Sequence, residues 1–397
     1  MADFRIRLGV LSKYVGTDEN VVIPDGVTRI KAEAFKKCTH IKSVTIPDSV
    51  TEIGDSAFYR CTELEKVKLS ANLKALGASA FSMCTSLKEV VIPSGITEIK
   101  ECAFNNCHSL RSVSILGRVT KIEQLAFAFC RSLCEINLPN SITELCYGAF
   151  EECNLESFVA PPLVTEIPEL LLLKCKGLTS VTLHNGINKI RDLSFADCSN
   201  LTGIKLPDGL TALGTGAFQG TAITEVHIPS SVEEIGGHAF EGCGELRRVT
   251  LCEGTKVIGR EVFKNCKSLT EIVIPASVKS IGLYVFEGCE ALNRAVFAEN
   301  SSLQCLSAGL FQHCKSLTEV VIPAGVTYFG VWMFPHCDNL RSIRFESADG
   351  WWHSDDTWAK TGDTIDLSDP KRNVEIFLSK YPKHYFQRGE QKPFREK

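Results

Sequence analysis

Long apolar segments are absent from this 397-residue chain, and so are the marks of an export signal. A transmembrane helix needs roughly 18 or more apolar residues in a row, and no such run occurs. The first residues, MADFRIRLGVLSKYVG, have neither an extended apolar core nor a small-residue cleavage site. We therefore expect a cytoplasmic protein for the chain as written. A cell-surface or secreted protein is the alternative if a leader was removed.

A large excess of charge of either sign is also lacking. The formal net charge is −4, because 43 basic residues are balanced by 47 acidic ones. A nucleic-acid partner requires a concentrated basic surface, so this composition argues against one.

Clusters of catalytic or metal-ligating residues are missing as well. The 9 histidines are scattered, none pairs with cysteines or carboxylates at metal-ligand spacing, and no C-x-x-C pair occurs. A glycine-rich run at 214–220 has the wrong spacing for a dinucleotide-binding loop. The sequence therefore predicts a protein that is not an enzyme, with no catalytic residues, no cofactor and no metal site.

Cysteine, by contrast, is abundant, with 18 residues. Most of them follow a recurrent phenylalanine, or the leucine that replaces it once, by three residues. These are Cys38, Cys61, Cys84, Cys107, Cys130, Cys153, Cys175, Cys198, Cys243, Cys266, Cys289, Cys314 and Cys337. Equivalent residues of stacked repeats point the same way, which suits a disulfide poorly. The spacing therefore predicts a ladder of inert, buried free thiols.

The chain is built on one repeated unit, of which Val44–Lys66 (VTIPDSVTEIGDSAFYRCTELEK) is a regular example. About 14 copies cover residues 21–345. In each unit an apolar–polar–apolar triplet predicts a short strand, and a proline, which cannot donate to a ladder, often ends it. Asp55 and Ser56 predict the cap of a short helical turn, and Phe58 predicts a buried core position.

Some units depart from the regular period. The units that start at Ile136 and Ile204 are one residue shorter, and the unit that starts at Ala295 is two residues longer. The unit at 158–180 contains three prolines and a leucine run at 170–173. It predicts a local kink or, alternatively, an exposed apolar step for a partner.

The repeat pattern divides the chain into three parts. Residues 1–20 predict an N-terminal capping hairpin, residues 21–345 a solenoid of about 14 repeats, and residues 346–397 a C-terminal cap and tail. Within the tail, Ser368 predicts a helix cap and Tyr385 a last strand.

The pattern L-x-x-V-x-I-P-x-x-V-x-x-I-G-x-x-A-F-x-x-C, which Leu64–Cys84 and Leu87–Cys107 show with few departures, resembles the BspA-like leucine-rich repeats. The resemblance implies a right-handed repeat solenoid with a parallel β-sheet on the concave face and short helical or irregular turns on the convex face. Family members are mostly surface or secreted proteins of bacteria and mucosal protists, associated with adhesion. The asparagine ladder of other leucine-rich repeats is largely replaced by small residues such as Gly26 and Ser49, so we expect the backbone there to be satisfied in another way.

Specificity is expected at the exposed sheet positions that the period leaves free to vary. In the C-terminal third, one row alternates in charge across neighbouring strands and the row beside it is apolar. The candidate protein-binding residues are Arg248, Glu271, Val273, Arg294, Val296, Glu319 and Val321. An apolar strip beside charges suits protein docking. We expect a monomer that binds a protein partner of unknown identity without inserting into a membrane; a solvated ladder of ion pairs is the alternative.

Two other functions stay open. Trp351, Trp352 and Trp358 in the tail predict either a cap over the last repeat or an aromatic surface for carbohydrate or cell-wall binding. A passive structural spacer without a dedicated ligand is the remaining possibility.

Overall fold

The computed structural model describes residues 3–356 and 362–389, and the chain divides into two compact units. Unit 1 comprises Met1–Ile187 and Ser194–Leu201, and unit 2 comprises Asn188–Leu193 and Thr202–Lys397. None of the described helices is long and apolar enough to cross a membrane.

Unit 1 opens with an antiparallel hairpin and continues as a parallel β-solenoid. From β3 onward its strands alternate between a main ladder and a second ladder of two-residue strands. In chain order they are β1 (Phe4–Arg7), β2 (Val10–Tyr14), β3 (Asn20–Val22), β4 (Arg29–Ile30), β5 (Ser43–Thr45), β6 (Glu52–Ile53), β7 (Lys66–Lys68), β8 (Ala75–Leu76), β9 (Glu89–Ile92), β10 (Glu98–Ile99), β11 (Ser112–Ile115), β12 (Lys121–Ile122), β13 (Glu135–Ile136), β14 (Glu144–Leu145), β15 (Ser157–Val159), β16 (Glu166–Ile167) and β17 (Ser180–Thr182). The main ladder runs from β3 to β13 through the odd-numbered strands and resumes as β15-β17, and the second runs β2-β4-β6-β8 and β10-β12-β14.

Unit 2 is a solenoid of the same kind that ends in an antiparallel cap. Its elements are β18 (Lys189–Ile190), β19 (Ala212–Leu213), β20 (Glu225–Ile228), β21 (Glu234–Ile235), β22 (Arg248–Leu251), β23 (Val257–Ile258), β24 (Glu271–Ile274), β25 (Ser280–Ile281), β26 (Arg294–Phe297), β27 (Cys305–Leu306), β28 (Glu319–Ile322), β29 (Tyr328–Phe329), β30 (Ser342–Phe345), β31 (Trp351–Ser354), β32 (Asp363–Ile365), α1 (Pro370–Glu375), a π-helical turn (Ile376–Lys380) and β33 (Tyr385–Arg388). The main ladder is β20-β22-β24-β26-β28-β30. The second runs β18-β19-β21-β23-β25, and a separate sheet has the order β27-β29-β33-β31-β32. Both units confirm the predicted repeat solenoid.

Each repeat contains a second strand that the sequence did not predict as one. In the unit Val44–Lys66, Ile53 turns inward as expected, but Glu52–Ile53 also pairs in parallel with the neighbouring repeats. Gly54 follows because the chains approach closely there: a Cβ on Gly54 would lie 2.5 Å from the backbone nitrogen of Ala32. The glycine is therefore required for close packing of the backbone.

Of the predicted helical or irregular turns, the turn after Gly54 is irregular. Ser56 and Arg60 have φ angles of 54° and 60°, in the left-handed region that interrupts a helix. Non-glycine residues in this region cost about 1–3 kcal/mol each. Their amides donate to the next repeat, Ser56 N to Ala78 O at 2.8 Å and Arg60 N to Ser82 O at 2.9 Å. These repeat-to-repeat hydrogen bonds offset the backbone strain.

A column of stacked aromatic rings fills the interior of the solenoid. Phe58 and Phe81 are fully buried, with ring centroids 4.9 Å apart and planes only 3° from parallel. Unit 2 contains a column of the same kind, with the Phe240 and Phe263 rings 5.7 Å apart. The predicted core role of the recurrent phenylalanine is confirmed.

The recurrent cysteines form a second buried column beside the rings. Every one of the 18 cysteines is a free thiol, and twelve members of the recurrent set are buried. Each of those twelve donates its S–H to the backbone carbonyl of the preceding repeat's phenylalanine, or of Leu172 in one case, at 3.0–3.2 Å. The predicted ladder of buried thiols is confirmed for these twelve residues, whereas Cys38 of the first repeat is only half-buried. The structure adds a hydrogen-bonding role. Thr221 occupies the equivalent place in the 204–225 repeat, and its hydroxyl donates to Phe218 O of its own repeat at 2.9 Å.

Serines at the position of the missing asparagine ladder also satisfy the backbone. Ser49 Oγ donates to Val27 O at 2.8 Å, and Ser141 Oγ donates to Val119 O at 2.7 Å. The expectation that small residues replace the asparagine contacts in another way is confirmed at these sites.

The ends of the chain are closed differently. In unit 1, β1 pairs with β2, and β2 pairs with β4 of the first repeat. In unit 2, α1 lies against β30, and Asn373 Nδ2 donates to Ile343 O at 2.8 Å. The cap of α1 is Asp369 and not the predicted Ser368, because the Asp369 carboxylate accepts from the first helical amides. The predicted strand at Tyr385 is confirmed, whereas the three-part domain division stays a prediction.

One predicted strand is wrong. Residues 202–206, around Ile204, are all described and take part in no ladder. Gly203 precedes the apolar residue, and glycine weakens a strand because it has no side chain to pack.

Candidate protein-binding face

The structure brings the charged candidates of unit 2 into one row. In the parallel register of the main ladder, Arg248 lies opposite Glu271, Glu271 opposite Arg294, and Arg294 opposite Glu319. All four side chains are exposed. Opposite charges therefore alternate along the ladder.

Most of these charges are not held in tight ion pairs. Arg248 reaches Glu225 at 3.6 Å, and both side chains are at least 70% exposed. Among the described residues, Glu271, Arg294 and Glu319 have no opposite charge within 4 Å. Exposed pairs are worth only about 0–1 kcal/mol even when formed. The row is therefore available to charges on another molecule.

The apolar row beside the charges is partly exposed. Val273 lies opposite Val296 in the ladder and is 51% exposed, whereas Val296 is half-buried. Val321 is also half-buried and lies opposite Arg344 of the next strand. The strip is flanked by charge on one side and ends at a basic residue. We call the seven candidates from Arg248 to Val321 the binding face.

A cavity that the sequence did not predict adjoins the first residue of the binding face. It has a volume of about 440 Å³, and its lining includes Lys205, Glu225, His227 and Arg248. The cavity lies beside the segment at 202–206, where the expected strand does not form. The apolar–polar–apolar triplet at 204–206 is present, so the repeat pattern predicted a strand that does not form.

Two of the three tail tryptophans, Trp351 and Trp352, are buried. Trp351 is 1% exposed, and its Nε1 donates to Ser347 O at 3.0 Å. Trp352 is 9% exposed. Trp358 lies outside the described residues. A stacking platform needs open ring faces, so the burial of the first two rings weighs against the carbohydrate alternative, which stays a prediction.

The unit at 158–180 exposes less apolar surface than the leucine run suggests. Leu171 and Leu172 are fully buried, while Val159 and Leu163 are 63% and 55% exposed. Whether this unit is a kink or a partner site stays open as a prediction.

Three possible metal ligands lie together in unit 2, where the sequence predicted no metal site. His238, Glu241 and Glu261 have ligand atoms within 4.8 Å of one another. Lys264 lies 3.2 Å from Glu261, and Arg260 also pairs with it. Burial alone would raise the pKa of the Glu261 carboxyl, but these hydrogen bonds outweigh it and hold the pKa below its usual value. The two cations already neutralise this carboxylate, so the cluster suits a salt bridge better than a metal ion.

Comparison with known proteins gives a consistent result for the repeats. The profile of the BspA type Leucine rich repeat region matches six copies, at residues 14–134, 120–247 and 233–349. A leucine-rich repeat protein from Bacteroides ovatus is 25% identical, with a TM-score of 0.54 over 85% of this chain and 94% of its own. The pneumococcal vaccine antigen PcpA is 19% identical, with a TM-score of 0.51 over 85% of this chain and 92% of its own. The search among curated proteins found no match.

Proposed function

The chain belongs to the BspA-type leucine-rich repeat family, and from this premise we propose that it is a non-enzymatic scaffold that binds a protein through the binding face. The supporting observation is the row of exposed, alternating charges that lack tight partners, beside Val273. Exposed charges of both signs select an orientation and speed association with a complementary surface. The adjoining valines supply apolar area that can be buried on contact.

The finer form of this proposal is an adhesin-like role for a monomer. The description of the pneumococcal relative as a vaccine antigen is compatible with such a role. The partner is a protein that presents its own alternating charges at the spacing of adjacent strands, about 4.8 Å.

The test reverses two charges of the row without changing the net charge. The variant is Arg248→Glu with Glu319→Arg. The matched control is Lys66→Glu with Glu89→Lys, which lie opposite each other on exposed positions of the main ladder of unit 1. Binding of each chain to a panel of purified host-matrix and cell-surface proteins is measured by surface plasmon resonance.

We expect the unit 2 variant to weaken binding to a panel member at least about tenfold, and the control to leave it unchanged. Both variants should keep the melting temperature of the parent chain, because exposed charges contribute little to stability. Equal binding by all three chains would remove the binding face from consideration. Glycan binding that survives Trp351→Ala would remove the carbohydrate alternative at that tryptophan, and binding to no panel member would support a passive spacer.

A further inference from the structure

The longest repeat of unit 2 coincides with an interruption of the second ladder. Strand β25 ends one sheet and β27 begins the next, and the unit that contains β27, which starts at Ala295, is two residues longer than the period. The two strands still lie side by side. Among the described residues, the hydrogen-bonded ladder is therefore interrupted between β25 and β27.

Hydrogen bonds to the strand carbonyls show how the repeats that contain β25 and β27 are joined at this interruption. Gly282 N donates to Ile258 O at 2.8 Å, which is the backbone contact typical of the second ladder. At the next repeat, the carbonyl of Ile281 accepts from the Ser307 hydroxyl at 2.6 Å. A side chain, which reaches further, makes the contact that a backbone amide makes elsewhere.

A cavity of about 470 Å³ lies where the second ladder is interrupted. Its lining includes Lys279 from the β25 repeat, Tyr328 from β29 and Tyr385 from β33, so the tail strand forms one wall. The two tyrosine rings have centroids 6.1 Å apart and are tilted by 31°. The volume is within the usual range for small-ligand sites, roughly 300–1,000 Å³.

The rim of the cavity carries positive charge, because Lys279 lines it and has, in the described part of the chain, no acidic partner of the kind that Lys256 has one repeat earlier. Lys256 pairs with Glu233 of the repeat before it at 2.6 Å. Lys279 is the next residue in that row, and its amide donates to Lys256 O. Among the described residues no carboxylate lies within 4 Å of the Lys279 ammonium group. Arg260, which pairs with Glu261, also lines the cavity.

We propose that this cavity binds a small carboxylate carried on a six-membered ring, with Lys279 holding the carboxylate and the Tyr328–Tyr385 pair holding the ring. An ammonium group makes charge-assisted hydrogen bonds to a carboxylate, and tyrosine rings contact the flat face of a ring. A sugar acid and an aromatic acid share this chemistry. None of the lining residues belongs to the binding face, so the proposal is independent of the proposed function.

The experiment titrates the full chain by isothermal calorimetry with four probes. D-glucuronate and benzoate have both the ring and the carboxylate, D-glucose lacks the carboxylate, and acetate lacks the ring. We expect glucuronate, benzoate or both to bind at least about tenfold more tightly than glucose and acetate. Binding of glucuronate alone identifies a sugar acid, and binding of benzoate alone identifies an aromatic acid.

Two pairs of variants locate the site. Lys279→Gln should weaken the ring acid about tenfold, whereas the control Lys256→Gln, one repeat earlier, should leave it unchanged. Tyr385→Leu should weaken binding and Tyr385→Phe should retain most of it, with melting temperatures confirming that each variant folds. The proposal is overturned if neither ring acid binds, if glucose or acetate binds as well, if both lysine variants behave alike, or if Tyr385→Leu has no effect.

Discussion

The buried columns and the binding face belong to the same repeats but follow opposite rules. In unit 2 the interior position is Phe240, Phe263 and Phe286 in three successive repeats, all fully buried. The exposed position a few residues further along changes from Arg248 to Glu271 between neighbours. Buried positions must fit the same space in each repeat, whereas exposed positions have no such requirement. Folding stability therefore depends on the buried residues that recur in each repeat. Binding specificity depends on the exposed positions whose residues differ between repeats.

The largest difference in stability between substitutions in the buried columns and on the binding face is expected at the phenylalanine column. Phe263 stacks on Phe240 and Phe286 with centroids 5.7 Å and 5.8 Å away. Phe263→Ala should lower the free energy of unfolding by about 3–5 kcal/mol, measured by urea denaturation. Val273→Ala on the binding face is the control and should change it by no more than about 0.5 kcal/mol. Equal losses would contradict the division between buried and exposed positions.

A smaller effect is expected at the thiol column. Cys266 Sγ donates to Phe240 O at 3.2 Å in a buried site. Threonine and valine have nearly the same shape, but only threonine retains a donor. Cys266→Val should therefore be less stable than Cys266→Thr by about 1 kcal/mol in urea denaturation, because the carbonyl of Phe240 loses its donor. Equal stability of the two variants would show that the thiol acts by packing alone.

The smallest expected effect is a loss of stability at low pH that arises in the C-terminal cap. His353 is 5% exposed, and its Nδ1 lies 2.9 Å from Nδ1 of His384. The Tyr381 ring is 4.0 Å from that of His353. Burial lowers the pKa of His353, the nearby His384 and Lys380 lower it further, and Asp363 opposes them. The unfolded chain therefore binds a proton more readily than the folded one.

The sign of the pH dependence follows from that difference. The contribution of neutral His353 to the free energy of unfolding is complete above the ordinary histidine pKa of about 6.5. It is lost as pH falls through the lower pKa that His353 has in the folded state. Urea midpoints should fall between about pH 7 and about pH 5, and the fall should be smaller in His353→Leu. The same fall in both chains would show that other groups cause it.

Much of the scaffold could be predicted from the period alone. Side chains that recur every 23 residues stack on their equivalents, which predicts the burial of Phe58 and Cys61 and the sign alternation from Arg248 to Glu271. The left-handed Ser56 and Arg60 could not be predicted, because their conformation is stabilised by hydrogen bonds to the next repeat and not by their own preference.

The candidate sites were less predictable than the scaffold. The row and its register follow from the period, but the loss of the strand at 202–206 and the cavity behind Lys279 depend on how neighbouring repeats meet. The burial of Trp351 and Trp352 depends on the cap, which does not follow the repeat pattern.

The most direct test of the central claim, that a column of free, hydrogen-bonded thiols lies inside the repeats, is a count of reactive thiols in the native chain. Burial raises the pKa of the Cys84 thiol to about 12, so little thiolate is present at about pH 8. We expect labelling of at most the half-buried set, which is Cys38, Cys102, Cys134, Cys146, Cys252 and Cys305. All 18 thiols should react only after denaturation. Rapid labelling of the recurrent cysteines in the native chain, or fewer than 18 thiols after denaturation without reductant, would contradict this account.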